Sequence, residues 1–425
     1  MQPPVSAASA LDARDFEAAV REMLGREGTA SSPARLLEPL RRRWVATMRQ
    51  LRPLGGCATG NRVQLYESGD EIWDRMWRAM RGAKRRVWLE TYILEPDGVG
   101  TRTLAELANA AGRGCEVVFL YDDFGSLRVN DALLAPLRAI GVRALAYNPI
   151  LPWRRRGPIL RRNHRKLLIV DSDVAFCGGL NVGEDYAGPK LGNSRFRDSH
   201  VRVEGAAVRE LARLFAATLA EIGEEAPASA RAEDPPACVP SAGSLVQVLE
   251  SNQFRKRRAI QRMLRTTLQR ASLRCWATSP YFVPPPRLRQ AMGKAARRGV
   301  DVRVLTAGPS DVPLVSLASQ HVYAWLLARG VRIFEYGTKE RLLHAKSVTV
   351  DGVYGMVGSF NFDYLSWGRN LEVNVGVLDL KFARELEQQF EHDLEQAREV
   401  KLADLAGRSA WQRMLQALAF RLLRL

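Results

Sequence analysis

Apolar and polar positions along this chain alternate in two rhythms that follow each other in a fixed order. Residues 62–67 alternate with a period of two and predict a strand. Residues 70–81 then place Ile72, Trp73, Met76 and Met80 near one face of a helix. A strand over 87–93, a helix over 103–111 and a strand over 116–121 continue the series, which closes with a helix and a strand at 142–147. The second half restarts the succession: 245–251 echoes 62–68, 275–282 echoes 87–93, Arg298-Gly299-Val300 echoes Arg113-Gly114-Cys115, and Gly330-Val331-Arg332 echoes Gly141-Val142-Arg143. The offset drifts between 180 and 189, as loop insertions produce. This is a duplicated domain, too long for a solenoid repeat.

The alternation predicts two duplicated α/β domains, over 58–221 and 243–400. Each has a mostly parallel sheet flanked by helices, and a pseudo-twofold relates them. Residues 222–242, rich in Ala, Pro, Ser and Glu, read as a linker. Residues 1–57 form an N-terminal extension, partly disordered or helical, with one helix over 10–24 and a basic run at Arg41-Arg42-Arg43-Trp44. Residues 401–425 read as a basic amphipathic helix in which Trp411, Met414, Leu415, Leu418, Leu422 and Leu425 share a stripe. Arg413 and Arg424 lie opposite, Arg421 flanks, and Phe420 and Leu423 break the division. Such a helix either lies in a membrane interface or docks on the protein's own core or on a partner subunit.

Composition narrows the setting. No run of 18 apolar residues exists to span a bilayer, and Met1-Gln2-Pro3-Pro4 lacks the start of a secretory signal. The five cysteines form no CxxC pair, and their scatter points to a reducing compartment. The net charge of +17 calls for a polyanionic partner, either nucleic acid or an anionic membrane surface.

The chemistry lies in a pattern that occurs twice, 180 residues apart. His164-Arg165-Lys166 leads to Asp171, Gly178-Gly179 and Asn181; His344-Ala345-Lys346 leads to Asp351, Gly358-Ser359 and Asn361 at the same offsets. Residues i and i+2 of a strand share a face, so each imidazole projects with its ammonium. Gly179 and Ser359 would let backbone approach a phosphate, and Asn181 and Asn361 add amide donors. Two such halves make one pocket suited to a phosphodiester: one histidine as nucleophile, the other as acid and base, with lysines and amides on the developing charge. Each histidine needs a carboxylate to fix its tautomer. Asp198 and Glu372, at similar distances downstream of the two motifs, are the candidates. His200, His321 and His392 have no repeated context and read as structural or solvent-facing. No metal site or cofactor is expected.

These residues resemble the phospholipase D superfamily, with its paired HxKxxxxD motifs followed by GG or GS and Asn. The resemblance covers about residues 60–400. The stretches 163–166, 175–181, 197–205 and 358–361 look most like bacterial cardiolipin synthases of the short form without N-terminal transmembrane helices; Phe360 stands where small residues are common. The resemblance implies that His164 forms a phosphohistidine and that His344 acts as acid, then base. It also implies that Asp171 and Asp351, candidate catalytic residues by their place in the motif, are mainly structural. The implied reaction joins two phosphatidylglycerols into cardiolipin and glycerol. The implied location is a cell membrane, peripherally, at its cytoplasmic face. Trp153-Arg154-Arg155-Arg156 and Arg161-Arg162, just before the first motif, either hold anionic head groups near an entrance or form a solvated loop. The rivals are a phospholipase using water, a nucleic-acid phosphodiesterase, and a non-catalytic membrane-binding protein. Superfamily nucleases often carry one motif per chain and no stacking surface is readable here, so no nucleic-acid partner is expected.

Overall fold

A computed structural model describes residues 13–25, 34–151, 153, 158–230, 243–251, 258–338 and 340–424. The arginine run 154–156, residues 231–242 of the linker and Leu425 lie outside the described residues. The strands of the first half are β1 (Gly56–Tyr66), β2 (Arg86–Thr91), β3 (Glu116–Asp122), β4 (Arg143–Tyr147), β5 (Leu167–Val170), β6 (Val174–Gly178), β7 (Phe196–Arg197) and β8 (His200–Glu204). Those of the second are β9 (Ser244–Ser251), β10 (Arg274–Thr278), β11 (Asp301–Ala307), β12 (Arg332–Tyr336), β13 (Leu342–Leu343), β14 (Ser347–Val350), β15 (Tyr354–Gly358), β16 (Glu372–Leu378) and β17 (Ala397–Val400).

The duplicated α/β architecture is present, but the halves share one 15-stranded sheet. It is ordered β17-β12-β11-β10-β14-β15-β16-β9-β1-β8-β6-β5-β2-β3-β4, and the halves meet where β1 pairs antiparallel with β9. The expectation of mostly parallel sheets is corrected. Among the described residues, only β2-β3-β4 and β10-β11-β12 run parallel within this sheet, joined by crossover helices; β13 and β7 pair parallel apart from it. The rest of this sheet pairs antiparallel. Three residues join β5 to β6 and β14 to β15, and only an antiparallel hairpin closes over that distance.

Helices cover both faces, which is why β2, β5, β14 and β16 are buried along their whole length. One core cluster crosses the boundary, bringing Trp88, Val203 and Phe215 together with Val248, Val375 and Phe382. The helices Ala13–Met23 and Ala34–Leu51 bury Phe16, Val20, Trp44 and Met48 in the core of the second half.

Candidate active site

The motif histidines lie just before β5 and β14, on extended backbone where the halves meet. Each strand begins one residue after its motif lysine, not at the histidine, because the approach pairs with the other half. Asn163 bridges Leu371, and the His164 N–H donates to the Leu371 carbonyl at 3.0 Å. Likewise β13 pairs with β7, and the His344 N–H donates to the Arg197 carbonyl at 2.7 Å.

Glu372 follows Leu371, and Asp198 follows Arg197. Each histidine therefore meets a carboxylate from the opposite half: His164 Nδ1 lies 3.1 Å from Glu372 Oε2, and His344 Nδ1 lies 2.5 Å from Asp198 Oδ2. With Nδ1–H donated to the carboxylate, Nε2 of each ring keeps its lone pair. Lys166 Nζ donates to the His164 carbonyl at 2.6 Å, and Lys346 Nζ to the His344 carbonyl.

All six side chains are buried, and burial sets their protonation. It lowers His164, with Glu372 opposing, and lowers His344 to about 4, with the charge of Lys346 adding to the effect. It holds Lys166 well below the ordinary lysine range, helped by Lys346, and pulls Lys346 to about 8. Burial alone would raise Asp198 and Glu372; the facing histidines and lysines hold both below the usual carboxylate range. Two carboxylates, two lysines and two neutral imidazoles result.

Asn181 accepts from the Ile93 N–H through Oδ1, leaving a buried Nδ2 without a hydrogen-bond partner. At Asn361 the unpartnered atom is Oδ1, and rotation of the amide exchanges it for Nδ2. Both suit the recognition of a phosphoryl oxygen.

Two pairs assigned from sequence serve elsewhere. Gly179 and Ser359, the residues expected to hold phosphate, lie against the two carboxylates. A Cβ on Gly179 would lie 2.0 Å from Asp198 Oδ1, and the Gly179 N–H donates to the Ser199 carbonyl. Ser359 Oγ donates to Glu372 Oε2 at 2.5 Å. Asp171 and Asp351, candidate catalytic residues, stand five residues beyond the lysines, about 16 Å away along extended chain. Asp171 accepts the N–H groups of Lys84, Arg85 and Arg86; Asp351 accepts those of Ser272, Leu273 and Arg274. Both have left-handed backbone, at φ 51° and 56°, and turn the chain into the next strand.

Several neighbours escaped the sequence reading. Tyr92 and Tyr186 stand edge-on to His164 and His344, with ring centroids 5.1 and 5.2 Å away. Tyr186 and Ser366 follow Asn181 and Asn361 by five residues, yet differ in type, so no repeat revealed them. Ser366 Oγ donates to Glu372 Oε1 at 2.6 Å, and Asn370 Nδ2 reaches the same oxygen at 3.4 Å. Glu372 thus has three side-chain donors besides His164, whereas Asp198 accepts the Ser199 N–H. Arg165, between the motif residues, crosses to the Glu372 carbonyl and to Glu250. His200 is buried and falls to about 4; His392 is exposed beside Glu395.

With this geometry in hand, similarity to known proteins becomes decisive. The chain is 30% identical over 390 residues to cardiolipin synthase 1 of Bacillus cereus, covering 90% of this chain and 76% of that one. It is 33% identical over 383 residues to cardiolipin synthase A of Pseudomonas fluorescens strain Pf-5, covering 89% and 78%. The chain belongs to the cardiolipin synthase family. The family profile "Cardiolipin synthase, PLD-like domain" matches residues 264–394, within the second half. The fold is that of phosphatidylserine synthase from Haemophilus influenzae, with TM-score 0.66, 13% identity, and 89% and 98% of the two chains covered. Polyphosphate kinase from Porphyromonas gingivalis also shares it, at TM-score 0.55 and 13% identity over 86% and 52%. In this chain the duplication brings the two motif halves together, each histidine against the other half's carboxylate.

Proposed function

We propose that the protein transfers a phosphatidyl group from one phosphatidylglycerol to another, giving cardiolipin and glycerol. The observation that carries the reading is the exchanged pair: two neutral histidines, each held by the other half's carboxylate, with two buried lysines between them, in a chain of this family. The charge of the bound phosphodiester raises His344, which takes up a proton on Nε2 as substrate binds; His164 Nε2 then attacks phosphorus and the bond to the departing glycerol oxygen breaks, that oxygen taking the Nε2 proton of His344. A hydroxyl of the second phosphatidylglycerol then gives its proton to His344 and attacks phosphorus, releasing His164. Lys166, Lys346, Asn181 and Asn361 stabilise the charge on the equatorial oxygens.

The carboxylates support this division of labour. Three donors spread the charge of Glu372, weakening its hold on a proton and favouring a neutral, nucleophilic His164. Asp198 has fewer donors and keeps more of its charge toward His344, which favours a His344 that takes up a proton when the phosphodiester anion binds and then returns it. Among the described residues no helix is long and apolar enough to cross a membrane. The proposed setting is peripheral, on the anionic lipid itself; unpaired Cys57, Cys115, Cys177 and Cys275 fit the cytoplasmic face.

Incubation with phosphatidylglycerol vesicles, with and without EDTA, tests the reading. Cardiolipin and glycerol in equal amounts are expected in both. Phosphatidic acid alone would assign a hydrolase instead.

A further inference from the structure

We propose that the catalytic end of the sheet and the outer stripe of the C-terminal helix form one surface that docks on an anionic lipid bilayer. The helix Ala410–Leu422 has two apolar faces. The inner face buries Ala419 and Phe420 against the helix Pro313–Leu327. There Gln416 Nε2 donates to Gln320 Oε1 at 2.9 Å, and Phe420 packs 4.8 Å from His321. The outer face is the stripe of Trp411, Met414, Leu418 and Leu422, which are 63, 50, 52 and 49% exposed. Docking on the core uses only the first face, so the second is left for a partner.

That stripe adjoins the active site. The helix Pro313–Leu327 starts at the catalytic end, where Asp311 accepts from the Tyr281 hydroxyl at 2.8 Å and its charge reaches Lys346. Its first turns expose Leu314 and Leu317, and Leu365 is exposed beside Tyr364, whose ring meets Phe420. In the first half Leu127 and Trp153, 71 and 78% exposed, stand on loops that follow β3 and β4 at the same end of the sheet. Among the described residues, only Ile140, Leu273 and Leu402 of the exposed large apolar side chains lie away from this end and its adjoining helix. An apolar rim around a buried phosphodiester site is the geometry needed to take substrate from a membrane without lifting its acyl chains into water.

Charge selects the occupant. The chain carries +17, and residues 410–425 contain arginines but no Asp or Glu, with Arg421 exposed at the edge of the stripe. Two copies of so basic a chain repel, whereas a bilayer of anionic lipid attracts both the stripe and its arginines. The inference rests on the proposed lipid substrate only for the identity of that bilayer.

The test is sedimentation of the full chain with vesicles of phosphatidylcholine and phosphatidylglycerol in equal parts. The variant W411S/M414S/L418S/L422S is expected to bind about tenfold or more weakly. It should keep its rate on short-chain phosphatidylglycerol dissolved below its micelle concentration, which also shows that it is folded. In the native protein, acyl-chain-brominated lipid is expected to quench tryptophan emission, with part of the quenching lost in W411F and part in W153F. Unchanged vesicle binding by the quadruple variant overturns the proposal. So does quenching unaffected by either tryptophan substitution, or a loss of self-association with vesicle binding intact, which would assign the stripe to a second copy. A native protein that binds vesicles through the stripe but turns over neither form of phosphatidylglycerol would defeat the functional reading and leave the docking surface standing.

Discussion

Glu372 and Asp198 each hold the histidine of the other half, and that exchange makes the site indivisible. Replacing Glu372 by Gln or Asp198 by Asn keeps the shape but removes the charge that fixes the Nδ1–H tautomer. Each should lower kcat by about 10³–10⁴-fold with little change in KM, measured on phosphatidylglycerol. A near-native rate in either variant would remove the orienting role. Burial also makes a prediction about protons. His344 is lowered to about 4 and Lys346 to about 8, and a bound phosphodiester anion raises both. Binding of tungstate at pH 7 should therefore take up protons, seen by calorimetry in buffers of different ionisation enthalpy; zero uptake would contradict the assignment. The same depression has a sign for stability. Between about 6.5 and about 4 the unfolded chain binds a proton at His344 that the native state refuses, so stability falls as pH drops through that window. His344→Gln should flatten that part of the Tm profile. The motif residues were legible because they repeat in register. The exchange of carboxylates was not, because spacing along the chain cannot say which copy's histidine a carboxylate reaches.

At the scale of elements, the sequence pattern located the alternating strands and helices and missed what ties them together. Residues 56–61 read Gly-Cys-Ala-Thr-Gly-Asn, without apolar alternation, and were assigned partly to the extension. They instead begin β1 and pair with β9, joining the two halves into one sheet. Trp44, in a basic run with no evident role, is 3% exposed, donates to Asp351 Oδ2 at 3.2 Å and stacks on Tyr354. Trp44→Ala should cost about 3–5 kcal/mol in urea unfolding, the range for truncating a buried aromatic; a change within experimental error would mean the helix is not part of the second core. The terminal helix was ambiguous for a physical reason. Phe420 and Leu423, which broke its amphipathic pattern, face the core, and the regular stripe faces outward.

Across the whole molecule, duplication gives two equal motifs and the shared sheet makes them unequal. Arg197 forms a bidentate pair with Asp393 at 2.8 Å across the halves, and Arg165 crosses in the other direction to Glu250, so both approaches to the site are braced from the far side. Glu372 with its three donors and Asp198 with its single backbone donor then give the two histidines different partners within one pocket. The central claim is that this inequality makes His164 the nucleophile. Its most direct test is to mix native protein, H164A and H344A with phosphatidylglycerol, quench in alkaline denaturant and map the adduct by peptide mass spectrometry. The account predicts a phosphatidyl group on the peptide containing His164, present in native protein and absent in H164A. An adduct on the His344 peptide that survives in H164A would contradict it.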